Sequence, residues 1–369
     1  MRAAGAQGMA ETEFAVVGGG PAGLSAALEA TRLGVRVLVI DENEQPGGQL
    51  FKQIHKFFGS KQHRAGVRGI DIGTKLLAEV EALGVTVWLN SVVWGLFEGP
   101  TLGVIRERKN VRVKAPKVLL ATGAMENALA FPGWTLPGVM GAGAIQTLVN
   151  VHRVLPGKRV LMVGSGNVGL IVSYQLLQAG AEVVGLVEAL PTVGGYGVHA
   201  SKLRRQGVPI WTRRTIKAAV GDGRVEKAIT VGLDEKWNEV PGSEEELAVD
   251  VICLALGLTP LSELAWMAGC EFEWIPQLGG QVPVHDRDME STVKGIYVAG
   301  DVSGIEEAST AMEEGKLAGI AVAESLGKVS AEEAREKKAA IWAGLAELRG
   351  GPFGEGRRQA KEPVQVTAG

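Results

Sequence analysis

The chain has 369 residues, of which 46% are hydrophobic and 21% are charged, and its formal net charge is −3. This composition is typical of a globular protein of roughly two domains, and nothing in it indicates the concentrated basic surface that nucleic-acid binding needs. No apolar run approaches the roughly 18 residues that span a bilayer. Because the N-terminus also lacks the apolar segment of a secretory signal, the expected location is the cytoplasm.

An apolar strand at residues 14–17 leads into the glycine turn Gly18–Gly23, a small-residue helix follows, and a second strand, 35–40, ends at Asp41. In such a turn the first glycine allows a tight bend, the second lets a pyrophosphate approach, and the third packs helix on strand. The pattern predicts a dinucleotide-binding βαβ unit in which Asp41 binds ribose hydroxyls. The predicted phosphate-binding residues are Gly18, Gly20, Pro21, Ala22 and Gly23.

The same pattern recurs with the strand 159–163, a glycine turn, a helix and the strand 182–187, which ends at Glu188. No Arg or Lys follows Glu188 closely, and a 2′-phosphate would need such a cation, so NAD(H) is favoured over NADP(H). ATP carries the same ribose and phosphates and stays open as an alternative. The predicted binding residues of this second turn are Gly164, Gly166, Asn167, Val168 and Gly169.

The cysteines Cys253 and Cys270 do not form a CxxC pair, and the five histidines show no metal-ligand spacing. The sequence therefore predicts no local redox disulfide, no iron–sulfur ligand set and no metal site. Both cysteines are expected to be buried as small hydrophobic residues.

Three further segments accompany the first motif: a second glycine turn at 45–50, a strand that ends in Ala-Thr-Gly at 121–123, and a strand that ends in Gly300-Asp301. With these segments the sequence resembles the FAD/NAD(P)-linked reductase superfamily, which includes thioredoxin and glutathione reductases. The resemblance implies an α/β fold with two Rossmann-like dinucleotide-binding domains and, here, no redox disulfide.

The resemblance assigns the first glycine turn to the FAD pyrophosphate, Asp41 to the adenosine ribose, and Gly300-Asp301 to the ribityl and phosphate part of FAD. It places the helix start at 307–309 with its N–H groups toward the flavin, where they would stabilise the negative charge of the reduced form. Glu313 and Glu314 are expected to be a solvated helix face. Further expected FAD-binding residues are Glu42, Gly48, Gln49, Leu50, His55, Val93, Ala121, Thr122, Gly123, Gly300, Asp301, Glu307, Ala308 and Ser309.

By the same resemblance the FAD domain is discontinuous, comprising 13–125 and 255–328, with a nicotinamide-type domain inserted at 126–254. The remainder, 329–369, changes composition. It is expected to form a charged amphipathic helix over 330–348, followed by a polar tail that is extended or mobile.

The segments 48–70 and 121–140 narrow the resemblance to alpha-type flavoprotein subunits of multi-subunit amino-acid and opine dehydrogenases. These include dye-linked proline dehydrogenase, hydroxyproline dehydrogenase, opine oxidase, sarcosine oxidase and hydrogen cyanide synthase. This resemblance implies an amine- or amino-acid-oxidising flavoprotein partner, which in many members is accompanied by a small iron–sulfur subunit. Any cluster would belong to another chain, because this one lacks the cysteines.

The leading hypothesis is an FAD-dependent electron-transfer subunit in which hydride passes between the nicotinamide C4 and the flavin N5. That step needs positioning rather than an acid or base, so no catalytic residue is assigned. One alternative is a stand-alone NADH-dependent reductase of ferredoxin or a small acceptor. Another is a scaffold subunit that holds ATP or NAD structurally. A thioredoxin reductase is disfavoured, because its cysteine pair is absent.

Overall fold

The computed structural model describes residues 8–57 and 64–365. The chain divides into two compact units, a first unit of Met1–Met125 with Thr259–Gly369 and a second unit of Glu126–Leu258. Among the described residues, no helix combines the length and the apolar character needed to cross a membrane. Part of the family-resembling segment at 48–70, including His63, lies outside the described residues.

The strands, in chain order, are β1 (Met9–Glu11), β2 (Phe14–Val17), β3 (Val37–Ile40), β4 (Thr86–Trp88), β5 (Ser91–Phe97), β6 (Thr101–Arg106), β7 (Lys109–Lys114), β8 (Lys117–Leu120), β9 (Ala124–Glu126), β10 (Val139–Gly141), β11 (Arg159–Val163), β12 (Glu182–Glu188), β13 (Ile210–Thr212), β14 (Arg214–Val220), β15 (Lys227–Gly232), β16 (Glu245–Ala248), β17 (Val251–Leu254), β18 (Leu258–Pro260), β19 (Phe272–Ile275), β20 (Gly280–Pro283) and β21 (Ile296–Val298). The helices are α1 (Pro21–Arg32), α2 (Gly69–Ala82), α3 (Ala142–Gln146), α4 (Asn167–Gln178), α5 (Gly197–Arg205), α6 (Glu263–Met267), α7 (Ala308–Ser325), α8 (Ala331–Leu348) and α9 (Gly351–Lys361).

A parallel sheet in the order β21-β8-β2-β3-β4 forms the centre of the first unit. All four residues of β2 are buried because both faces of the sheet are covered. Phe14 and Val16 pack with α1 and α7 on one face, whereas Ala15 and Val17 pack with β5, β6 and β7 on the other. The helices and the antiparallel sheet β1-β7-β6-β5 thus enclose the parallel sheet in three layers.

The second unit repeats this arrangement around the parallel sheet β10-β17-β11-β12-β13. Val160 and Met162 of β11 pack against α4 and α5, and Leu161 and Val163 pack toward the antiparallel sheet β14-β15-β16. The predicted α/β class with two Rossmann-like modules is therefore confirmed.

The C-terminal region departs from the sequence-based expectation. The predicted amphipathic helix is present as α8, and the Ser330 hydroxyl caps it by accepting a hydrogen bond from Glu333 N. The prediction of an extended or mobile tail is wrong for the described residues. The helix α9 follows α8 directly, and a 3₁₀ turn spans Glu362–Val364. Lys361 and Val364 are fully buried, so this segment is packed into the first unit, to which it belongs.

The helices α1 and α7 approach each other through glycine and alanine. A Cβ at Gly319 would lie 2.5 Å from the Ala26 carbonyl oxygen, so Gly319→Ala must force the helices apart. Overpacking of this kind typically costs about 1–3 kcal/mol. We expect a loss of that size in the free energy of unfolding, measured by chemical denaturation.

Gly356→Ala is the matched control, since Gly356 lies within α9 and a Cβ there would meet no atom within 4 Å. Helix propensity favours that change by about 1 kcal/mol. Equal stability of the Gly319→Ala and Gly356→Ala proteins would contradict the close helix contact.

Candidate functional site

The first glycine turn contains glycines of two kinds. Gly18 has a φ of +105°, and a Cβ there would lie 2.2 Å from the Ala121 carbonyl oxygen. A Cβ at Gly23 would lie 1.9 Å from the Gly18 carbonyl oxygen. Because neither position has room for a side chain, the turn can form only with glycine at both. Gly20 differs, because the nearest atom to its Cβ position is Gly48 Cα at 3.9 Å. The space at Gly20 is therefore open to a ligand.

Asp41 is buried at the end of β3 and holds the turn in place. Its Oδ2 accepts a hydrogen bond from Gly19 N at 2.6 Å, and its Oδ1 accepts two from the backbone and side-chain amides of Asn43 at 2.8 and 2.9 Å. A carboxylate offers about four lone-pair sites. Asp41 therefore keeps capacity for a ribose hydroxyl while it fixes the turn.

The second glycine turn has the same geometry. Gly164 has a φ of +102°, and a Cβ there would lie 2.3 Å from the Ala255 carbonyl oxygen. A Cβ at Gly169 would lie 2.3 Å from the Gly164 carbonyl oxygen, whereas a Cβ at Gly166 would meet no atom within 4 Å. At the three glycine positions that the two turns share, each turn thus has two glycines that the fold requires and one that it does not.

Glu188 holds the second turn as Asp41 holds the first. Its Oε2 accepts hydrogen bonds from Ser165 N at 2.8 Å and Ser165 Oγ at 2.6 Å, and its Oε1 accepts one from Leu190 N at 3.0 Å. All these donors are uncharged. The following loop is tied to the turn as well, because Asn167 Oδ1 accepts from Tyr196 N at 2.8 Å. The predicted ligand Asn167 therefore has a structural bond of its own.

Both turns run directly into helices. Gly20 and Gly166 are the N-cap residues of α1 and α4, so the free N–H groups of each helix start at the open glycine. Pro21 lacks an N–H that the first turn of a helix does not need. A helix N-terminus next to unobstructed backbone suits a phosphate group.

Several predicted FAD residues meet at one edge of the first sheet. Gly18, Asp41, Ala121 and the pair Gly300-Asp301 follow the carboxyl ends of β2, β3, β8 and β21, strands that are neighbours in a single parallel sheet. Ligands of open α/β sheets bind outside these ends. Thr122 and Gly123 continue from β8, where Thr122 Oγ1 donates to the Leu261 carbonyl.

Other predicted residues take different positions. Gly48, Gln49 and Leu50 lie in a 3₁₀ helix beside the first turn, but the Leu50 side chain is fully buried in the core with α1 and α2, which leaves only its backbone for a ligand. Val93 pairs with Val104 inside the antiparallel sheet. Glu42 is exposed, and His55 stacks on Phe57. The helix α7 has Glu307 as its N-cap and begins with Ala308 and Ser309.

Glu313 and Glu314 are buried, so the expectation of a solvated helix face is wrong. Glu314 Oε2 accepts from Gly300 N at 3.0 Å and lies 2.9 Å from Ser303 Oγ. The sequence did carry a signal, because Ala311 and Ala318 flank Glu314 at helical spacing and mark a buried face. Sequence reasoning thus missed that Glu314 bonds the backbone of the turn that carries Asp301.

Burial and charge perturb Asp301 in the turn after β21. Burial raises the pKa of its carboxyl to about 6, with a further upward contribution from Glu314, while the backbone of Glu306 and the Lys361 ammonium act in the opposite direction. Asp301 is ionised at pH 7.5, and the surrounding protein disfavours that ionised form.

The pKa of Asp301 predicts a pH-dependent effect of Asp301→Asn. Because the folded pKa lies above the unfolded value of 3.8, the wild type loses stability as the pH rises through about 6. One pKa unit corresponds to about 1.4 kcal/mol, so in FAD-free protein we expect the variant to be more stable by on the order of 1–3 kcal/mol at pH 7.5. The two proteins should be nearly equal at pH 4. Thermal melts across this range test the expectation, and a difference that does not change with pH would refute it.

The two thiols lie in different units. Burial raises the pKa of Cys253 well above its ordinary value, and burial also raises the pKa of Cys270. Both are therefore thiols rather than reactive thiolates at neutral pH. Within the described residues, no group of His, Cys, Asp and Glu side chains forms a candidate metal site.

Two parallel sheets, each with an open glycine and a buried carboxylate at its carboxyl edge, are typical of an α/β protein with two dinucleotide-binding domains. Residues 12–315 match the family model for pyridine nucleotide-disulphide oxidoreductases, and the chain belongs to this family. It is an FAD-dependent oxidoreductase, and the family implies binding of a pyridine nucleotide as well.

A subunit of opine oxidase from Rhizobium meliloti is 32% identical to this chain over 337 residues, which cover 85% of this chain and 63% of that relative. The chain thus spans less than two thirds of that relative's length. Among solved structures, L-proline dehydrogenase from P. horikoshii has a TM-score of 0.68 at 24% identity and covers 91% of this chain and 60% of its own. Thioredoxin reductase of T. acidophilum has a TM-score of 0.72 at 19% identity and covers 86% of this chain and 99% of its own. These two structures share the fold.

The open glycines allow binding to be separated from folding. Gly20→Ala places a methyl group where the protein has room but a pyrophosphate would approach, so we expect the free energy of unfolding of the FAD-free protein to change by less than about 1 kcal/mol. FAD affinity should fall at least tenfold, as measured by fluorescence titration. Gly166→Ala is the internal control and should retain FAD, and loss of FAD from both variants alike would contradict separate sites.

Proposed function

We propose that this chain is the alpha-type electron-transfer subunit of a multi-subunit amino-acid or opine dehydrogenase. In this role it exchanges electrons between its FAD and NAD(H), a partner flavin or another acceptor. One observation carries the proposal: the two units repeat the same constellation of an open glycine, a helix N-terminus and a buried carboxylate. A chain built in this way has two places for a dinucleotide.

FAD is assigned to the domain formed by 13–125 and 255–328. The helix start at Gly20 would hold the pyrophosphate, Asp41 would bind the adenosine ribose, and Asp301 would bind the ribityl side. When bound, FAD supplies reversible acceptance of a hydride or of single electrons. The chain itself binds and orients the cofactor, and no described side chain is assigned a proton transfer.

The second nucleotide, in the domain 126–254, is assigned as NAD(H). The buried Glu188 favours a free 2′-hydroxyl over a 2′-phosphate, because its hydrogen-bond donors are uncharged and no cation is among them. ATP would use the same ribose contact and the same open glycine. A structural ATP is therefore the second candidate for this site, and with it the scaffold role.

The partner assignment draws on the relatives. The opine oxidase relative from Rhizobium meliloti is by name one subunit of its enzyme, and we propose by analogy an amine-oxidising flavoprotein partner for this chain. An iron–sulfur cluster, if the complex has one, belongs to a further subunit, since the two cysteines of this chain are buried in separate units. A stand-alone NADH-dependent reductase of ferredoxin or a small acceptor is the alternative. Full turnover by a monomer or homodimer of this chain alone would favour it.

Anaerobic stopped-flow absorbance of the FAD-loaded protein tests the proposal. Mixing with NADH should bleach the flavin band rapidly, and mixing with proline or an opine should do so only when the partner subunit is present. Gly166→Ala should retain the flavin but lose the NADH-driven bleaching, because only the second site is obstructed.

The outcomes separate the candidates. An FAD-loaded protein that NADH cannot bleach would overturn the nicotinamide assignment, and ATP retained through purification would then favour the scaffold role. Bleaching by proline without any partner would contradict the subunit role.

A further inference from the structure

Four buried charged side chains join the C-terminal helices to the turn that follows β21. They are Glu306, Glu314, Arg349 and Lys361, and we call them the buried charge cluster. Each side chain is at most 5% exposed. Two carboxylates balance two cations, as the interior requires, because an uncompensated buried charge is strongly destabilising.

The cations of the cluster come from the C-terminal segment. Arg349 Nη2 lies 2.6 Å from Glu306 Oε2 and 2.6 Å from Glu314 Oε1. Lys361 Nζ lies 2.8 Å from the same Glu314 oxygen and donates to the Ser303 carbonyl oxygen at 2.8 Å. The C-terminal segment therefore bonds the turn both directly and through Glu314.

Glu314 also bonds the backbone at the carboxyl edge of the parallel sheet. Its second oxygen accepts from Gly300 N, and Gly300 lies against the first helix turn, since a Cβ there would be 3.0 Å from Ala22 Cβ. The turn that carries Asp301 is thus fixed between the glycine turn on one side and the buried charge cluster on the other.

The cations of the buried charge cluster shift the pKa values of two groups near them. Burial alone would raise the pKa of Glu314, but Lys361 and Arg349 hold it below its ordinary value. His285 is fully buried beside the cluster, and burial with the Lys361 charge lowers its pKa to about 4. A neutral His285 leaves the two-to-two balance intact, and its backbone N donates to the Val364 carbonyl at 2.9 Å.

We propose that Lys361 and Arg349 are positioning residues for FAD, which act through Glu314 to hold the Gly300-Asp301 turn in its cofactor-binding geometry. The proposal rests on the FAD site proposed above. By linkage, FAD binding and docking of the segment 349–365 must then stabilise each other to the same extent.

Lys361→Met and Lys338→Met form a matched pair that tests this role. Lys338 lies 2.7 Å from both Asp288 and Glu324, so it also joins α8 to earlier elements of the first unit. Within the described residues, these two partners make no hydrogen bond to the turn. We expect Lys361→Met to raise the Kd for FAD at least tenfold at a temperature where both variants are folded. Lys338→Met should leave that Kd within about twofold of wild type. Equal Kd values for the two variants would overturn the proposal.

Hydrogen exchange on the wild-type chain keeps the proposal testable if Lys361→Met fails to fold. FAD should slow amide exchange in 351–365 of the wild type. At an FAD concentration that saturates only the wild type, it should slow this exchange less in Gly20→Ala, whose expected FAD affinity is at least tenfold lower. FAD bound to wild type without protection of this segment would refute the positioning role while leaving the FAD site standing. A wild type that binds no FAD at all would instead refute the proposed function.

Discussion

A backbone carbonyl oxygen occupies the space in which a side chain would begin, at Gly18 and again at Gly164. In each unit the end of a neighbouring strand can therefore contact the glycine turn closely. The carbonyl oxygen lies 2.2 Å from the position that a Cβ would take at Gly18 and 2.3 Å from that position at Gly164. Because the turn is then tight, the helix starts at the sheet edge, with its free N–H groups at the strand ends. The position of the acidic side chain follows from the same closeness, since Asp41 and Glu188 each reach the amide just after the first glycine.

This contact separates two requirements that a single sequence motif merges. Packing requires Gly18 and Gly23 in the first turn and Gly164 and Gly169 in the second, and a chain with no nucleotide would still need them. Gly20 and Gly166 have open space around the Cβ position, so the fold gives no reason for glycine there. A nucleotide that approaches the backbone gives that reason, and this is why the middle glycine supports binding more strongly than the pattern as a whole.

The elements whose determinants are local could be predicted from the sequence. The strand at 14–17, the two glycine turns and the carboxylates at 41 and 188 depend on neighbours within one βαβ unit, and hydrophobic runs with glycine spacing specify them. The C-terminal segment could not be predicted in this way. Arg349 and Lys361 bond Glu314, from which they are 35 and 47 residues distant in the sequence. The sequence of a polar segment does not show whether its charged side chains are solvated or paired with one another. These long-range pairs are the reason that the predictions of an extended tail and of a solvated Glu314 are wrong.

The position of the thiols limits where electrons can go. Members of the family are named for a disulphide, but in this chain Cys253 and Cys270 are buried in different units and their pKa values are raised. A buried thiol with a raised pKa is a poor nucleophile, and neither lies in a pair that could cycle between dithiol and disulfide. The chain therefore keeps the dinucleotide geometry of the family without its usual acceptor. The positions of the thiols offer a flavin no cysteine pair to reduce, and this is the physical reason for favouring the proposed electron-transfer role over that of a disulfide reductase.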